Sequence, residues 1–408
     1  MSSSARPTPS EERKPNAVDV SPANRLQKLR PYPFAALRKK IQEARKAGRE
    51  ILNLGIGDPD KPTPDPVVRE LCRAVRDKDD PDRHRYGCDV PVAQYTDAVK
   101  DFYRRRFGVA LADENVVATT GSKDAIVEFA LGVLNPGDLA IAPEPGYPTY
   151  NIGHTFASAV THYVPLLREN GFLPDLDAIP PEVRRLAKVM WLNYPNNPTT
   201  AVCDLDFYRR VVDFARANQI IIANDLSYSE NTYDGYVAPS ILQVEGACEV
   251  AVEFFSLSKA FCMTGWRIGS VAGQPGALNA LRLVKENGDN GTLRAIQFAG
   301  AKALSLAESL TPKVNALYRR RRDLVVSALN RLGWALEKPK GTIYIWAPVP
   351  PRFGGDSAAF AADLFEKTGV VVTPGAVYGQ HGEGYFRISL TYPDEVLTRA
   401  MERLAERR

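Results

Sequence analysis

The sequence predicts an α/β fold, namely a mostly parallel sheet flanked by helices, with a smaller α+β domain beside it. Strand and helix patterns alternate from about residue 64 to residue 290, the order expected for parallel strands joined by helices. Residues 220–223 are apolar without alternation, which is typical of a strand covered on both faces. Beyond residue 290 long helical patterns and short strands favour a second unit.

The length of 408 residues favours two domains. Residues 1–23 are rich in serine, proline and charge, so we expect a disordered tail. We assign residues 24–60 to the N-terminal part of the smaller domain, residues 61–295 to the large domain, and residues 296–408 to the C-terminal part of the smaller domain.

The composition argues against several classes of protein. The 52 basic and 48 acidic residues leave a net charge of +4, too balanced to predict a nucleic-acid or membrane-surface partner. No apolar run approaches the ~18 residues of a membrane span. The five cysteines contain no C-x-x-C pair and the four histidines do not cluster with them. We therefore expect no metal site and no disulfide framework, and a cytoplasmic location fits.

The first predicted elements lead to a glycine loop. Residues 33–46 carry apolar side chains at helical spacing, and residues 51–54 form a short strand. The strand runs into residues 55–59, where two glycines, one of them Gly57, let a backbone approach a ligand. A plain turn is the alternative. Two helices follow, at residues 64–75 and about 92–107.

Residues 116–120 form a predicted strand, after which Ser122 and Lys123 open a helix. A helix N-terminus after a turn of small residues is an anion site, because free N–H groups and the helix dipole point at it. Two strands follow, at residues 139–142 and 160–164. Tyr147, in the loop between them, either stacks on a planar ligand or packs as an ordinary core residue.

Two further strands end in polar side chains. Residues 188–192 end in a dense turn that contains Asn197, and residues 220–223 run to Asp225, with Tyr228 three residues later. A carboxylate in this place either caps the next turn or pairs with a cationic group of a ligand, such as the protonated nitrogen of a pyridine ring. Tyr228 and Asn197 are candidates to hydrogen-bond an oxygen of the same ring. The carboxyl ends of parallel strands form the ligand-binding edge of an open sheet, so we expect these groups to converge.

Lys259 is the only charged residue between Glu253 and Arg267, in a turn between two apolar strands. Loss of solvation lowers the pKa of such an amine and makes it nucleophilic. Hydroxyl and guanidinium groups that bind phosphate lie nearby, on Ser256, Ser258 and Arg267. A reactive amine beside a phosphate site suggests pyridoxal phosphate. A lysine that extends its ammonium into water is the alternative.

The C-terminal part of the chain contributes one isolated charge. Arg387 is the only charged residue in the apolar strand at 385–389, so it needs a carboxylate partner, either internal or from a substrate. The other predicted elements are helices at 292–306, 312–332, 358–367 and 394–404, and strands at 334–336, 344–347 and 370–372.

The motifs at residues 256–259, 264–267 and 196–199, with Asp225, Tyr228 and Arg387, resemble those of class I/II aminotransferases of fold type I. The resemblance covers nearly the whole chain from about Asn24. It implies the fold type I large domain, pyridoxal phosphate as cofactor, and a homodimer with shared active sites. One position departs from the family pattern, since Thr200 stands where a glycine is usual.

The resemblance also implies a role for each motif residue. Lys259 would be the Schiff-base lysine and proton shuttle, and Asp225 would pair with the pyridine nitrogen. Tyr228 and Asn197 would bind the ring oxygen. The phosphate would be held by Ser122, Lys123, Ser256, Ser258 and Arg267, with Tyr86 from the other subunit. Arg387 would bind the substrate α-carboxylate, together with Asn197 and the backbone of Gly57.

Within the family, residues 54–60, 169–176, 294–297 and 382–390 are most similar to LL-diaminopimelate aminotransferases. This resemblance implies ping-pong transfer of an amino group from LL-2,6-diaminopimelate to 2-oxoglutarate. Lys123 fits an acidic distal group, and Tyr32, Asn287 and Arg294 are further candidates for the distal pocket. Aspartate or broad-range aminotransfer and a C–S β-lyase activity remain open. A cofactor-binding regulator is disfavoured because residues 1–23 are too short for a helix-turn-helix module.

Overall fold

The structure is a computed structural model that describes residues 20–29, 34–87 and 92–406, with the side chains of residues 34–39 left out. The expectation of a disordered tail concerns residues that lie mostly outside this range, and Tyr32 lies outside it as well. Within the described residues, no helix is long and apolar enough to cross a membrane. The same residues contain no group of three or more His, Cys, Asp or Glu side chains arranged to hold a metal ion.

The described residues contain twelve strands. In chain order they are β1 Leu52–Asn53, β2 Val116–Thr119, β3 Leu139–Glu144, β4 Val160–Pro165, β5 Ala187–Asn193, β6 Ile221–Asp225, β7 Ala251–Ser256, β8 Gly269–Gly273, β9 Tyr344–Pro348, β10 Val370–Val371, β11 Thr373–Pro374 and β12 Tyr385–Ser389. Seven of them form one sheet in the order β2-β8-β7-β6-β5-β3-β4.

Strands β3 to β7 of this sheet run parallel, and β8 runs antiparallel to both of its neighbours. The predicted mostly parallel sheet is therefore confirmed. The register pairs Asn193 with Asp225 and Asp225 with Phe254, so the ends of three adjacent strands meet at one edge. This register brings the polar groups that follow these strands to one place.

The helices are α1 Asn24–Gln27, α2 Phe34–Lys46, α3 Asp65–Arg76, α4 Ala93–Phe107, α5 Ser122–Val133, α6 Thr149–Phe156, α7 Pro181–Leu186, α8 Leu205–Asn218, α9 Ala247–Val250, α10 Leu257–Ala260, α11 Pro275–Gly288, α12 Arg294–Ser305, α13 Ala307–Arg331, α14 Ser357–Thr368 and α15 Asp394–Ala405. Short 3₁₀ turns connect several of them.

The seven-stranded sheet is packed on both faces. In β6 the side chain of Ile222 joins one apolar core, with Phe207 of α8, while that of Ala223 joins the other, with Phe129 of α5. Successive side chains of a strand point to opposite faces, so an unbroken apolar run must have cover on both sides. This packing is the physical reason for the run at residues 220–223.

A smaller unit packs its own core. Strands β11, β12 and β9 form an antiparallel sheet, and β1 pairs in parallel with β10. The pairing joins the N-terminal segment to the C-terminal part of the chain. The side chains of α13 and α15 fill this core, Val325 and Leu397 among them. Since α12 packs against α3 and α4 of the larger unit, the division at residues 295–296 stays a prediction.

The predicted strand at residues 334–336 is wrong. The side chain of Asn330 accepts a hydrogen bond from the Leu336 N–H at 2.6 Å and donates to the Leu336 carbonyl at 2.9 Å. Trp334 donates its indole N–H to the carbonyl of Pro348. Because the Asn330 side chain satisfies the backbone groups of Leu336 that a strand would pair, the segment packs as an irregular connection.

Candidate active site

A cavity of about 900 Å³ opens at the carboxyl ends of the parallel strands, with the smaller unit supplying part of its wall. Twelve residues singled out from the sequence line it, namely Gly57, Ser122, Lys123, Tyr147, Asn197, Asp225, Tyr228, Ser256, Ser258, Lys259, Arg267 and Arg387. They come from eight separate stretches of the chain, so the fold gathers chemistry that is dispersed in the sequence.

Lys259 lies on the short helix α10, directly after β7. Its ammonium donates a hydrogen bond to the carbonyl of Gly57 at 2.6 Å. Burial, the largest influence, lowers the pKa of Lys259 from its usual value, and the nearby guanidinium of Arg387 adds to the effect. The structure thus places this amine inside the cavity, in the environment that makes a lysine nucleophilic.

Asp225 ends β6 with a buried carboxylate. One oxygen accepts the Tyr150 hydroxyl at 2.9 Å, and the other accepts the N–H and the hydroxyl of Ser227 at 3.1 and 2.6 Å. Burial raises the pKa of Asp225, partly opposed by these hydrogen bonds. No cationic side chain of the described residues pairs with it, so the site favours a positively charged ligand atom.

Tyr150 is held in place by an aromatic neighbour. Its ring stacks on Trp191 with centroids 4.8 Å apart and planes 12° apart. The Trp191 indole N–H donates to Nε2 of His154 at 2.9 Å. Burial lowers the pKa of His154 to about 4, so the ring is neutral near pH 7 and Nε2 is free to accept. These buried contacts fix the hydroxyl that supports Asp225.

The anion site surrounds the start of α5. Gly121, at φ +91°, precedes Ser122, and a Cβ on Gly121 would lie 2.7 Å from Nη2 of Arg267. Only glycine accommodates both this backbone and the approach of the guanidinium. The hydroxyl oxygens of Ser227 and Ser122 lie 3.3 Å apart, and Arg267 contacts Asp124 at 3.1 Å. Two buried serines, Ser256 and Ser258, also line the cavity and add two more hydroxyls.

Arg387 reaches the cavity from β12. It donates to Oδ1 of Asn197 at 2.7 Å and to the carbonyl of Gly55 at 2.9 Å, while its buried Nε has no hydrogen-bond partner. Among the described residues it forms no ion pair with a carboxylate. Of the two alternatives, an internal carboxylate is therefore not found among the described residues, and a ligand carboxylate satisfies the same need.

Tyr228 and Tyr344 meet beside Lys259. Their hydroxyl oxygens are 3.1 Å apart, and the rings meet edge to face. A Cβ on Gly57 would lie 2.0 Å from the Tyr344 hydroxyl, which explains why glycine stands there. Burial raises the pKa of Tyr228 well above its usual range, so this hydroxyl keeps its proton near pH 7.

Sequence reasoning missed several residues of the cavity, namely Tyr150, Ser227, Tyr344 and Tyr378. Ser227 had a usable signal, because a serine two residues after an aspartate commonly closes an Asx turn. Tyr344 lies in an apolar run, and for Tyr150 and Tyr378, as for most tyrosines, packing is the usual explanation. Only the pairing of β9 with β12 brings Tyr344 to the same sheet as Arg387.

Three of the expected residues lie elsewhere in the described chain. Tyr86 is 65% exposed and does not line the cavity. Arg294 bonds to Asp80 at 3.0 Å, and Asn287 lies on the exposed side of α11, donating to the Leu283 carbonyl. A role for any of them at a neighbouring subunit's site stays a prediction.

The donor set fits pyridoxal phosphate. Asp225 suits a protonated pyridine nitrogen, the start of α5 with its hydroxyls and Arg267 suits a phosphate, and the Tyr228 hydroxyl suits a phenolate oxygen. Lys259 stands in the same cavity as the amine that such a cofactor requires. The glycine at position 121 leaves the space that the Arg267 guanidinium occupies beside the start of α5.

The sequence of the chain is similar to those of known proteins. The family model "Aminotransferase class I and II" matches residues 49–404. A Moorella thermoacetica protein named LL-diaminopimelate aminotransferase is 49% identical over 383 residues, covering 94% of this chain and 97% of that protein. A Desulforudis audaxviator protein of the same name is 48% identical, covering 94% and 96%.

Solved structures give the same picture. Substrate-bound BacF from Bacillus subtilis superposes with a TM-score of 0.89 at 36% identity, covering 95% of this chain and 98% of that one. Aspartate aminotransferase from Thermus thermophilus with maleate superposes with a TM-score of 0.85 at 29% identity, covering 95% and 100%.

Proposed function

The chain belongs to the class I and II aminotransferases, which depend on pyridoxal phosphate, and we propose that it moves the amino group of LL-2,6-diaminopimelate to 2-oxoglutarate. The observation that carries the choice of donor is the near full-length likeness to the Moorella thermoacetica protein, at 49% identity. The geometry supports the reaction class independently, through the buried Asp225, the desolvated Lys259, and Arg387, which forms no ion pair with a carboxylate of the described residues.

In this proposal Lys259 moves the proton. When bound, pyridoxal phosphate supplies an electron sink for the Cα carbanion of the amino acid. The Lys259 amine takes the Cα proton of the amino acid. It later gives this proton to the cofactor carbon to which the amino group is transferred. Its lowered pKa leaves more of the amine unprotonated near neutral pH, which a general base requires. The Gly57 carbonyl, 2.6 Å away, orients the amine.

Other side chains bind and orient. Asp225, supported by Tyr150 and Ser227, would hold the pyridine nitrogen protonated. The ring would be covered by Tyr147. Phosphate would be held by Ser122, Lys123, Ser256, Ser258 and Arg267, and the ring oxygen by Tyr228 and Asn197. The excess of donors around the proposed phosphate position supports this assignment.

Arg387 and Asn197 would bind the α-carboxylate of the amino acid, with the backbone of Gly57 beside them. The 2.7 Å hydrogen bond between the two side chains supports a shared ligand, because it pre-orients the guanidinium. Lys123 lines the same cavity and is exposed, which supports a role at a distal carboxylate. Tyr32 would also contribute to this distal end.

We also propose a homodimer with shared active sites, acting in the cytoplasm. Tyr86, exposed on this chain, would reach the phosphate of the other subunit. The exposed apolar side chains of Val68 and Val75 on α3 and of Leu293 support a contact surface nearby.

A panel of amino donors tests the proposed function. The purified protein with pyridoxal phosphate and 2-oxoglutarate is given LL-2,6-diaminopimelate, aspartate or alanine, and glutamate or the oxo acid product is measured. The highest kcat/KM is expected for LL-2,6-diaminopimelate. A negligible rate with it beside a high rate with aspartate would make the chain an aspartate aminotransferase. Release of pyruvate and ammonia from cystathionine without amino transfer would indicate the β-lyase.

A further inference from the structure

Tyr344 touches three parts of the candidate site at once, although no motif marked it. It is 3% exposed and lines the cavity from β9. Its hydroxyl lies 3.1 Å from that of Tyr228, and its ring lies 3.9 Å below the Arg387 guanidinium carbon. Its hydroxyl also abuts Gly57, whose carbonyl binds Lys259.

We propose that Tyr344 is a positioning residue that donates its hydroxyl hydrogen to Tyr228 and thereby directs the Tyr228 hydrogen to the oxygen of the cofactor ring. The inference rests on the proposed function, because it assumes that Tyr228 binds that oxygen.

The direction of the hydrogen bond follows from counting hydrogens. Each tyrosine hydroxyl has one hydrogen to donate and can accept as well. If Tyr228 gave its hydrogen to Tyr344, none would remain for a ring oxygen. If Tyr344 donates instead, the Tyr228 oxygen is satisfied and its hydrogen is free to point into the cavity. Burial keeps Tyr228 protonated, so this hydrogen is available near pH 7.

A chain of two hydroxyls also strengthens the second donor. A hydroxyl that accepts a hydrogen bond becomes a better donor, and the effect is larger away from water. Both tyrosines are buried, at 5% and 3% exposure. Donation to the ring oxygen stabilises its anionic form, so loss of the Tyr344 hydroxyl is expected to raise the pKa of the bound chromophore.

The Tyr344 ring contacts a different group from the one that its hydroxyl contacts. The guanidinium of Arg387 lies over the Tyr344 face at 3.9 Å and near the Tyr378 ring at 5.1 Å. Cation–π attraction at a desolvated site helps to hold this cation, which pairs with no carboxylate of the described residues. The hydroxyl and the ring of one residue therefore act on two different groups, and substitutions can separate them.

The decisive experiment is a pH titration of the visible absorbance of the pyridoxal phosphate-loaded protein. Tyr344→Phe removes the hydroxyl and keeps the ring under Arg387. We expect the midpoint to rise by about 0.5–1 pH unit, a 3- to 10-fold change in proton affinity, while the KM for the amino acid changes by less than about 3-fold. Tyr344→Leu, which removes the ring as well, is expected to raise that KM by about 10-fold or more.

Tyr233→Phe is the matched control, because it deletes another buried tyrosine hydroxyl, one that donates to the Thr342 carbonyl outside the cavity. Its midpoint is expected to equal that of the unaltered protein. A Tyr344→Phe midpoint that also stays unchanged, or shifts only as much as the control, overturns the inference. The proposed function is tested separately, because it fails if the unaltered protein takes up no pyridoxal phosphate or transfers no amino group.

Discussion

The hydroxyl of Tyr150 lies 2.9 Å from a carboxylate oxygen of Asp225 and donates its hydrogen to it. The other carboxylate oxygen accepts the one hydroxyl hydrogen of Ser227, whose oxygen also lies 3.3 Å from the Ser122 hydroxyl at the start of α5. A single hydroxyl, that of Ser227, thus links the carboxylate expected to face the pyridine nitrogen with the anion site. This link would align the groups that hold the two ends of a bound pyridoxal phosphate.

We predict that Tyr150→Phe weakens retention of pyridoxal phosphate. The hydrogen bond from Tyr150 lowers the pKa of Asp225 against the larger effect of burial, so its loss raises that pKa further. A net loss of about 1 kcal/mol, typical of one hydrogen bond, corresponds to a 5- to 10-fold rise in Kd. Equilibrium dialysis of the cofactor measures it. Tyr194→Phe, which deletes a buried hydroxyl bonded to the Phe172 carbonyl outside the cavity, is the control. Equal Kd values in the two variants would contradict the prediction.

His154 predicts a pH dependence of stability. Burial lowers its pKa to about 4, whereas an unfolded histidine titrates near 6.5. As the pH falls below about 6.5 the unfolded chain binds a proton that the folded chain does not, so stability is lost down to about pH 4. The full loss is about 3–4 kcal/mol, at 1.36 kcal/mol for each pKa unit between about 4 and 6.5.

Urea unfolding of the unaltered protein and of His154→Gln between pH 4 and 7 measures this contribution. Glutamine can still accept a hydrogen bond from the Trp191 indole but binds no proton. The difference in unfolding free energy between the two proteins is expected to shrink as the pH falls. A difference that stays constant across this range would show that His154 is protonated in the folded state as readily as in the unfolded state.

Thr200 predicts a stabilising substitution. Its φ is +64°, in the left-handed region that is unfavourable for a β-branched residue, and its N–H closes the turn on the Asn196 carbonyl at 2.9 Å. Relief of about 1–2 kcal/mol of strain, less about 0.5–1 kcal/mol for the entropy of glycine, leaves Thr200→Gly more stable by about 0.5–1 kcal/mol. Urea unfolding measures the gain. Thr200→Ala keeps a Cβ in the same backbone conformation and is expected to gain less. Destabilisation by Thr200→Gly would refute the strain.

The sequence predicted the large sheet well because its signals are local. The apolar run at residues 220–223 predicts a strand, and the turn after it predicts where the strand ends. Parallel strands then place their ends at one edge of the sheet. Lys259 and Arg387 were conspicuous for a related reason, as lone charges among apolar residues. These isolated charges are costly unless the fold uses them.

The remaining parts depend on contacts distant in the sequence. Tyr150 reaches Asp225 across 75 positions, and Tyr344 reaches Tyr228 across 116. Nothing in the local pattern separates these tyrosines from core tyrosines such as Tyr103. The wrong strand at residues 334–336 has a similar origin, since the Asn330 side chain, six residues before Leu336, replaces a strand partner.

We predict that Lys259→Ala abolishes turnover. The amine is buried and held by the Gly57 carbonyl, and no other lysine amine of the described residues besides that of Lys123 lines the cavity. A positioned general base contributes about 10²–10⁴-fold, so kcat should fall by at least 10²-fold. The visible absorbance that depends on a lysine bond to the cofactor should also disappear. Retention of full activity would rule out the assigned role.

We predict that Arg387→Lys strongly raises the KM for the amino acid and lowers kcat/KM, whereas its effect on the free energy of unfolding is small. Lysine keeps the charge but loses the planar fork that binds a carboxylate through two hydrogen bonds. The bond to Asn197, at 2.7 Å, and the contact with the Tyr344 ring are lost with it. A loss of about 2–3 kcal/mol in transition-state binding, typical of a charged hydrogen-bonded group, corresponds to a 30- to 150-fold fall in kcat/KM.

The amino acid substrate and a corresponding amine separate the possible causes of this loss. If Arg387 binds the α-carboxylate, Arg387→Lys lowers kcat/KM for the amino acid strongly and that for an amine without the α-carboxylate only slightly. Arg321→Lys is a structural comparison, since Arg321 is equally buried but already pairs with Asp60 and Asp394 away from the cavity. It is expected to lower the unfolding free energy because a buried ion pair is disturbed. Equal losses for both substrates in Arg387→Lys would assign Arg387 to the protein's own architecture instead.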